Sequence, residues 1–188
     1  MELKQYIEAF SSLHTAKAKG HRAPHKAVLL LAVIDLVEEN IISGTKIELT
    51  DQLVDRFDAI WRRYLGMSSI FTPDICKPYF HMQYEMFWRL VEHSEVNVLL
   101  AAEPPLFVAR RKEKKRLPVG GYTAKAMRST FAYAEIDYTL YMLLRNNDAR
   151  AMLRVVLINT YFSNQPTKTL PDLASIITLL TPMFALVS

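Results

Sequence analysis

Residues 27–37 constrain the fold more than any other part of the sequence. They read AVLLLAVIDLV, so Asp35 is the only charged residue among them. A helix that is apolar on nearly every side must be surrounded by other elements. Pro24 stands just before this run, where a helix tolerates its fixed φ and its missing N–H. We therefore predict a central helix over about residues 24–39, inside a mainly helical core.

Helical spacing of apolar residues recurs on both sides of this run. It predicts an amphipathic helix over 2–13 and another over 51–64, with Thr50 or Asp51 as the N-cap. After Thr123 the same spacing predicts three further helical pieces, over 124–136, 137–146 and 147–162. The core of the chain is therefore expected to consist of helices.

The stretch KPYFHMQYEMFWRLV, residues 77–91, departs from this helical spacing. Its aromatic and aliphatic residues alternate on both sides of a polar middle, which is typical of a β-hairpin turning near 83–85. The predicted fold class is α+β, mainly α-helical: a helical domain with a small antiparallel β-hairpin. We expect this domain over 1–165, followed by a divergent apolar C-terminal tail over 166–188.

Composition narrows the class of protein. With 51% hydrophobic residues and a formal charge of +4, the sequence is typical of a folded and slightly basic protein. A single cysteine, Cys76, excludes an internal disulfide framework, and the start MELKQYIEAF lacks the pattern of a secretory signal. No charge-free apolar run reaches membrane-spanning length. A cytoplasmic protein without a membrane partner is expected.

The entry to the central helix is basic. His21, Arg22, His25 and Lys26 surround a helix start whose first N–H groups have no partner inside the helix. Such a start favours a phosphate or another oxyanion; the alternative is a solvated loop before a core helix. His21 and His25 have the spacing of a metal-binding pair. However, Pro24 leaves His21 outside the helix, so we expect no metal site.

A second basic segment, RRKEKKR at 110–116, precedes Gly120 and Gly121. A mobile basic loop gains affinity for DNA through counterion release, although such a run can also serve only as a solvated loop. Its cations are Arg110, Arg111, Lys112, Lys114, Lys115 and Arg116. The aromatic residues of the predicted hairpin, Tyr79, Phe80, Phe87 and Trp88, are candidates for stacking on bases, but alternating aromatics in strands more often belong to the core.

Three motifs resemble a bacterial family whose amino-terminal domain precedes an HNH nuclease in restriction endonucleases. RAPHKAVLLLAVIDLVE is similar to the family's helix start PHKPLLLL, and KPYFHMQYEMFWRL is similar to its hairpin YPFWRLQSDGFWEL. YAEIDYTLYMLLRNNDARAMLRVVLINTYF resembles its segment AELDEELFELLQDPEARALLRQALIETYF. The motifs occur in the same order and cover most of residues 1–162.

The resemblance implies a sulfur-binding domain, which recognises double-stranded DNA with a phosphorothioate in its backbone. It implies an apolar pocket for the sulfur, flanked by basic residues for the neighbouring phosphates. By motif, His25 and Lys26 fall at the helix entry and Pro78 at the proline of the hairpin. Two positions depart from the family pattern. Lys77 replaces a tyrosine that would provide an aromatic wall of the pocket, and Ala27 replaces a second proline.

The sequence indicates no catalytic site. An HNH nuclease needs a histidine base and metal ligands after the recognition domain, yet the last histidine is His93. We therefore expect a DNA-binding recognition module without its own nuclease, without a cofactor, and with a separate nuclease or a second copy of the chain as a possible partner. The alternative is a protein-interaction module that recruits such a nuclease through the apolar tail, with the basic residues serving solubility.

Overall fold

The computed structural model describes residues 2–18, 20–66, 70–96 and 114–162. The helices are α1 (Leu3–Ser11), α2 (His25–Glu38), α3 (Asp51–Tyr64), α4 (Cys76–His81), α5 (Ala124–Thr130), α6 (Tyr138–Arg145) and α7 (Asn147–Phe162). The strands are β1 (Lys17–Ala18), β2 (His21–Arg22), β3 (Lys46–Ile47), β4 (Trp88–Glu92) and β5 (Phe131–Ile136), and a 3-10 turn, Met82–Tyr84, follows α4. The predicted class, mainly helical α+β, is confirmed. The tail over 166–188 lies outside the described residues.

Helix α2 lies at the centre of the fold. Every residue from Lys26 to Val37 is buried except Asp35. Helices α3, α4, α6 and α7 all pack against it, which is how a helix without a polar face avoids water. The prediction of a central helix is confirmed, and Pro24 is its N-cap residue.

Helix α3 also follows the sequence pattern. The Thr50 hydroxyl accepts a hydrogen bond from the Leu53 N–H at 3.2 Å, so Thr50 is the N-cap. Leu53, Phe57, Ile60 and Trp61 form the buried face of the helix, while Tyr64 is half-buried. The polar face remains in solvent, as the spacing predicts.

A three-stranded antiparallel sheet has the order β3-β5-β4. The buried Tyr79 hydroxyl joins two of its strands, because it donates to the Ile47 carbonyl at 2.8 Å and accepts from the Ala134 N–H at 2.9 Å. Strand β3 has only two residues, and the Tyr79 side chain of α4 supplies additional hydrogen bonds between it and β5. This sheet holds α4 and the segment after it against α2.

The predicted hairpin over 77–91 is wrong in its first half. Residues 77–84 form most of α4 and the 3-10 turn, and the strand partner of β4 is β5, about forty residues later. Helix α4 is short and buried on more than one side, so its apolar residues show no helical period. The local antiparallel hairpin lies instead at β1 and β2, where Lys17 pairs with Arg22.

The helix predicted over 124–136 is correct only in its first half. Helix α5 ends at Thr130, and β5 continues directly from it as the middle strand of the sheet. Both faces of a middle strand can be covered, so its sequence FAYAEI lacks strict alternation. Asp137 is the N-cap residue of α6, so this helix begins where the sequence predicts it.

Among the helices in the described ranges, none combines the length and the apolar character that crossing a bilayer requires.

Candidate nucleic-acid interface

The N-terminal end of α2 follows directly from the β1–β2 hairpin. The Ala23 N–H donates to the Ala16 carbonyl at 2.8 Å, which closes the hairpin just before the helix. His21 and Arg22 lie on β2 and are exposed. The first turn of α2 contains no acidic residue, and Pro24 provides no side-chain cap. The structure therefore places two exposed basic side chains beside an uncapped helix start.

Lys26 lies in the first turn of α2, but it is buried. Its side chain turns inward, and its ammonium is 2.6 Å from the Glu85 carboxylate. Only 6% of Lys26 and 5% of Glu85 is exposed. Burial lowers the pKa of Lys26, and the hydrogen bond and charge of Glu85 oppose that shift. The predicted phosphate donor is thus neutralised inside the protein, and its contact with DNA stays a prediction.

Glu85 holds a second segment as well. It accepts a hydrogen bond from the His14 backbone N–H at 3.0 Å, and the His14 Nδ1 lies 3.2 Å from its other oxygen. His14 follows the end of α1, and its side chain is largely exposed. One buried carboxylate therefore fixes the end of α1 and the start of α2 to the 3-10 turn.

His25 is a packed histidine. Its Nε2 donates to the Thr72 carbonyl at 2.8 Å, and its ring lies 4.7 Å from that of Trp61 and 5.8 Å from that of Phe71. Burial is the main cause that lowers the pKa of His25 below its ordinary value of 6.5. A neutral ring with one nitrogen engaged leaves only Nδ1 for a ligand.

The two predicted residues of α4 lie close to His25. Lys77 is exposed, and its ammonium is 3.2 Å from the Asp74 carboxylate. The charge of Asp74 raises the pKa of His25, and the charge of Lys77 lowers it. Pro78 is buried, with its neighbours Tyr79 and Phe80. Helix α4 thus packs against α2, while Pro78 is buried and does not form an exposed surface.

The basic segment 110–116 falls partly outside the described residues, which exclude Arg110, Arg111 and Lys112. Its last part is fixed by the buried Gln83, whose Oε1 accepts from the Lys115 N–H at 2.6 Å and whose Nε2 donates to the Lys115 carbonyl at 3.3 Å. The Lys115 ammonium lies 2.7 Å from Glu95. Lys114 and Arg116, on either side of it, are exposed. This part of the segment is anchored to the protein and differs from a free solvated loop.

Aromatic rings surround the same 3-10 turn. The His81 Nε2 lies 2.7 Å from the Tyr122 hydroxyl, and the His81 ring is stacked with that of Tyr84 at 5.9 Å. The Lys114 ammonium lies 4.4 Å from the centre of the Tyr84 ring. Burial and then the charge of Lys26 lower the pKa of His81. These contacts place α4, the 3-10 turn and residues 114–116 on one patch.

We call the exposed basic residues around this patch the basic surface. They are His21, Arg22, Lys77, Lys114 and Arg116. Burial raises the pKa of the Tyr161 hydroxyl, which accepts the Leu13 N–H at 3.0 Å, and the charges of Arg22 and Glu85 both reach this group, so β2 lies on the same side of the molecule as Glu85. Within the described ranges, Arg22, Lys114 and Arg116 form no ion pair with a carboxylate. Among the residues that the structure describes, these three cations therefore have no counterion.

Sequence reasoning missed the residues that organise this patch. Gln83 and Glu85 were placed in a hairpin turn, where polar residues are expected to be exposed, and both are buried. Tyr79, Phe80, Phe87 and Trp88, the candidates for base stacking, all lie in the core, so the core interpretation of them is confirmed. Tyr84 is the exposed aromatic residue of the same stretch. The available signal for burial was the presence of two polar residues, Gln83 and Glu85, inside a run of mostly aromatic and aliphatic residues.

No metal site forms within the part of the chain that the structure describes, because no three His, Cys, Asp or Glu side chains are grouped there. Neither the family models nor the curated proteins that were compared with this chain give a match.

Proposed function

We propose that this chain is a DNA-binding recognition module of a restriction-type system, acting in the cytoplasm. One observation carries the proposal: the exposed cations Arg22, before the start of α2, and Lys114 and Arg116, beside the 3-10 turn, form no ion pair with any carboxylate in the part of the chain that the structure describes. The DNA backbone offers phosphates that such a surface can neutralise, with release of condensed counterions.

We propose different tasks for the basic residues. Arg22, Lys114 and Arg116 would contact phosphates directly, with His21 and Lys77 at the edge of the same surface. Lys26 is held by Glu85, so its main task would be to fix the helix start. Arginine is well suited to the central contacts, because its planar guanidinium can form two parallel hydrogen bonds with a phosphate.

We further propose that the module distinguishes a phosphorothioate from an ordinary phosphate. A sulfur atom is larger and less well hydrated than oxygen, so an apolar contact beside cations favours it. The support is the resemblance at His25 and Lys26, in the first turn of α2, and at Pro78 in α4, a helix that packs against α2. Lys77, in place of an aromatic residue, would make the sulfur contact more electrostatic than in the family pattern.

A binding titration tests both proposals. One short duplex is compared with the same duplex carrying a single stereodefined phosphorothioate, at low and at moderate salt. We expect binding that weakens steeply with salt, with a slope of roughly 0.9 in log K per neutralised phosphate. We also expect tighter binding of the sulfur duplex. Equal, salt-sensitive binding would leave a general DNA-binding module, and no binding to either duplex would favour the protein-interaction module.

A further inference from the structure

Residues 82–86, which read MQYEM, include both buried and exposed side chains. Met82, Gln83 and Glu85 are buried, while Tyr84 is 45% exposed and Met86 is 59% exposed. Large apolar side chains on a protein surface usually stand alone and then indicate no binding site. Here two of them, Tyr84 and Met86, are separated by a single residue. They lie between the segments that carry the basic surface.

The polar neighbours of Tyr84 hold it in place. Gln83 fixes residues 114–116 through both ends of its amide, and Glu85 fixes His14 and Lys26. Buried polar groups with satisfied hydrogen bonds make a rigid support. Tyr84 thus projects from a backbone that is anchored on both sides, in contact with Lys114 of the basic surface.

The surroundings of the Tyr84 ring match those of a base-binding aromatic residue. The His81 ring is stacked with it at an interplanar angle of 24°, and Tyr122 fixes His81 by a hydrogen bond. The Lys114 ammonium lies over the ring at 4.4 Å from its centre. Proteins that bind single strands combine aromatic rings for the bases with cations for the adjacent phosphates.

We infer that Tyr84, with His81 and Lys114, forms a stacking site for one unpaired base of a DNA strand whose phosphates lie on the basic surface. The inference rests on the proposed function and names the part of the DNA that this site would read. The base takes the ring face that Lys114 covers, and the Lys114 ammonium moves to the adjacent phosphate. Met86 provides an apolar contact at the edge of the base.

A second exposed tyrosine shows what is particular to this site. Tyr138, at the start of α6, is 64% exposed. In the part of the chain that the structure describes, its ring contacts no other aromatic ring and no cation. It is therefore a matched control, with the same side chain and similar exposure outside the basic surface.

The test compares a fully paired duplex with the same duplex carrying one bulged, unpaired base. The wild-type chain is expected to prefer the bulged duplex. Tyr84→Ala is expected to lose about 5- to 150-fold in affinity for the bulged duplex, the effect of one stacked base, with the paired duplex unaffected. Tyr84→Phe keeps the ring and retains the preference. Tyr138→Ala changes neither affinity.

The outcomes separate this inference from the proposed function. If the wild-type chain binds both duplexes equally and Tyr84→Ala changes neither, the stacking site is wrong while DNA binding stands. If Tyr84→Ala weakens both duplexes equally and lowers the thermal midpoint, the ring has only a structural task and the inference is again overturned. If the wild-type chain binds neither duplex at low salt, the proposed function itself fails.

Discussion

The two ends of α2 use charge in different ways. At its C-terminal end, three acidic residues meet three arginines from α3 and α7. The acidic residues are Asp35, Glu38 and Glu39, and the arginines are Arg56, Arg150 and Arg154. At the N-terminal end, Lys26 and Glu85 form a buried pair, and further cations lie exposed around it. The charges of the first cluster cancel, whereas the second leaves a positive surplus.

Both ends oppose the dipole of the helix. Acidic side chains near a helix C-terminus and a lysine in the first turn are unfavourable placements. The arginines offset the first placement completely, and Glu85 offsets the second for Lys26 alone. Within the described residues, internal partners neutralise the charges at one end of α2, whereas exposed cations at the other end have none. The C-terminal cluster is therefore structural, and the N-terminal end is the one that suits the proposed binding surface.

The largest expected effect is the loss of the buried carboxylate. Glu85→Ala leaves the Lys26 ammonium buried without a counterion and removes the acceptor for the His14 N–H. Breaking a buried pair from one side costs about 3–5 kcal/mol in the free energy of unfolding. Urea denaturation measures it. Lys26→Met combined with Glu85→Gln should recover most of the loss, because no charge then remains buried.

The matched change at the other end is Asp35→Asn. Asp35 contacts both Arg56 and Arg154, but those guanidinium groups stay partly in solvent after the change. We expect a loss of about 1 kcal/mol, typical of partly exposed ion pairs. If Asp35→Asn costs as much as Glu85→Ala, the two ends do not differ in the way described.

The next effect concerns DNA binding. Replacing Arg22, Lys114 and Arg116 together by alanine removes three proposed phosphate contacts. The slope of log K against log salt should fall by roughly 2.7, and affinity near 0.1 M salt should fall by about two orders of magnitude. The control replaces Lys4, Lys46 and Arg145, three exposed cations outside the basic surface, so the net charge changes equally. Equal losses in both variants would show that only net charge matters.

A contrast between local and long-range contacts explains how much of the fold the sequence can predict. Helices α2 and α3 were predicted because their apolar residues report local geometry, a buried helix in one case and an amphipathic helix in the other. The second arm of the predicted hairpin coincides with β4, but its pairing with β5 was not predicted and β5 was predicted as helix, because the two strands lie far apart in the chain and both carry apolar residues on two faces. The cations were visible in the sequence, yet their pairing was not. Lys26 and Glu85 are 59 residues apart, and only the fold separates this buried lysine from the exposed ones.

The smallest expected effect is a pH dependence confined to the N-terminal end of α2. Burial lowers the pKa values of His25 and His81 below 6.5, so the unfolded chain takes up protons at a higher pH than the folded chain does. The stability that these neutral rings contribute is fully present above about pH 6.5, and it is lost as the pH falls through their folded pKa values. The carboxylates Glu39 and Glu95, whose pKa values are also lowered, lose their contributions only below their ordinary value of 4.5. Urea midpoints at about pH 7.5 and about pH 5.5 therefore isolate the contribution of the histidines.

His25→Gln combined with His81→Gln should remove most of the difference between these two midpoints, since the amide can still donate to Thr72 but does not titrate. If the double variant loses as much stability between the two pH values as the wild-type chain, the titrating groups lie elsewhere, and the N-terminal end is no more sensitive to pH than the C-terminal end.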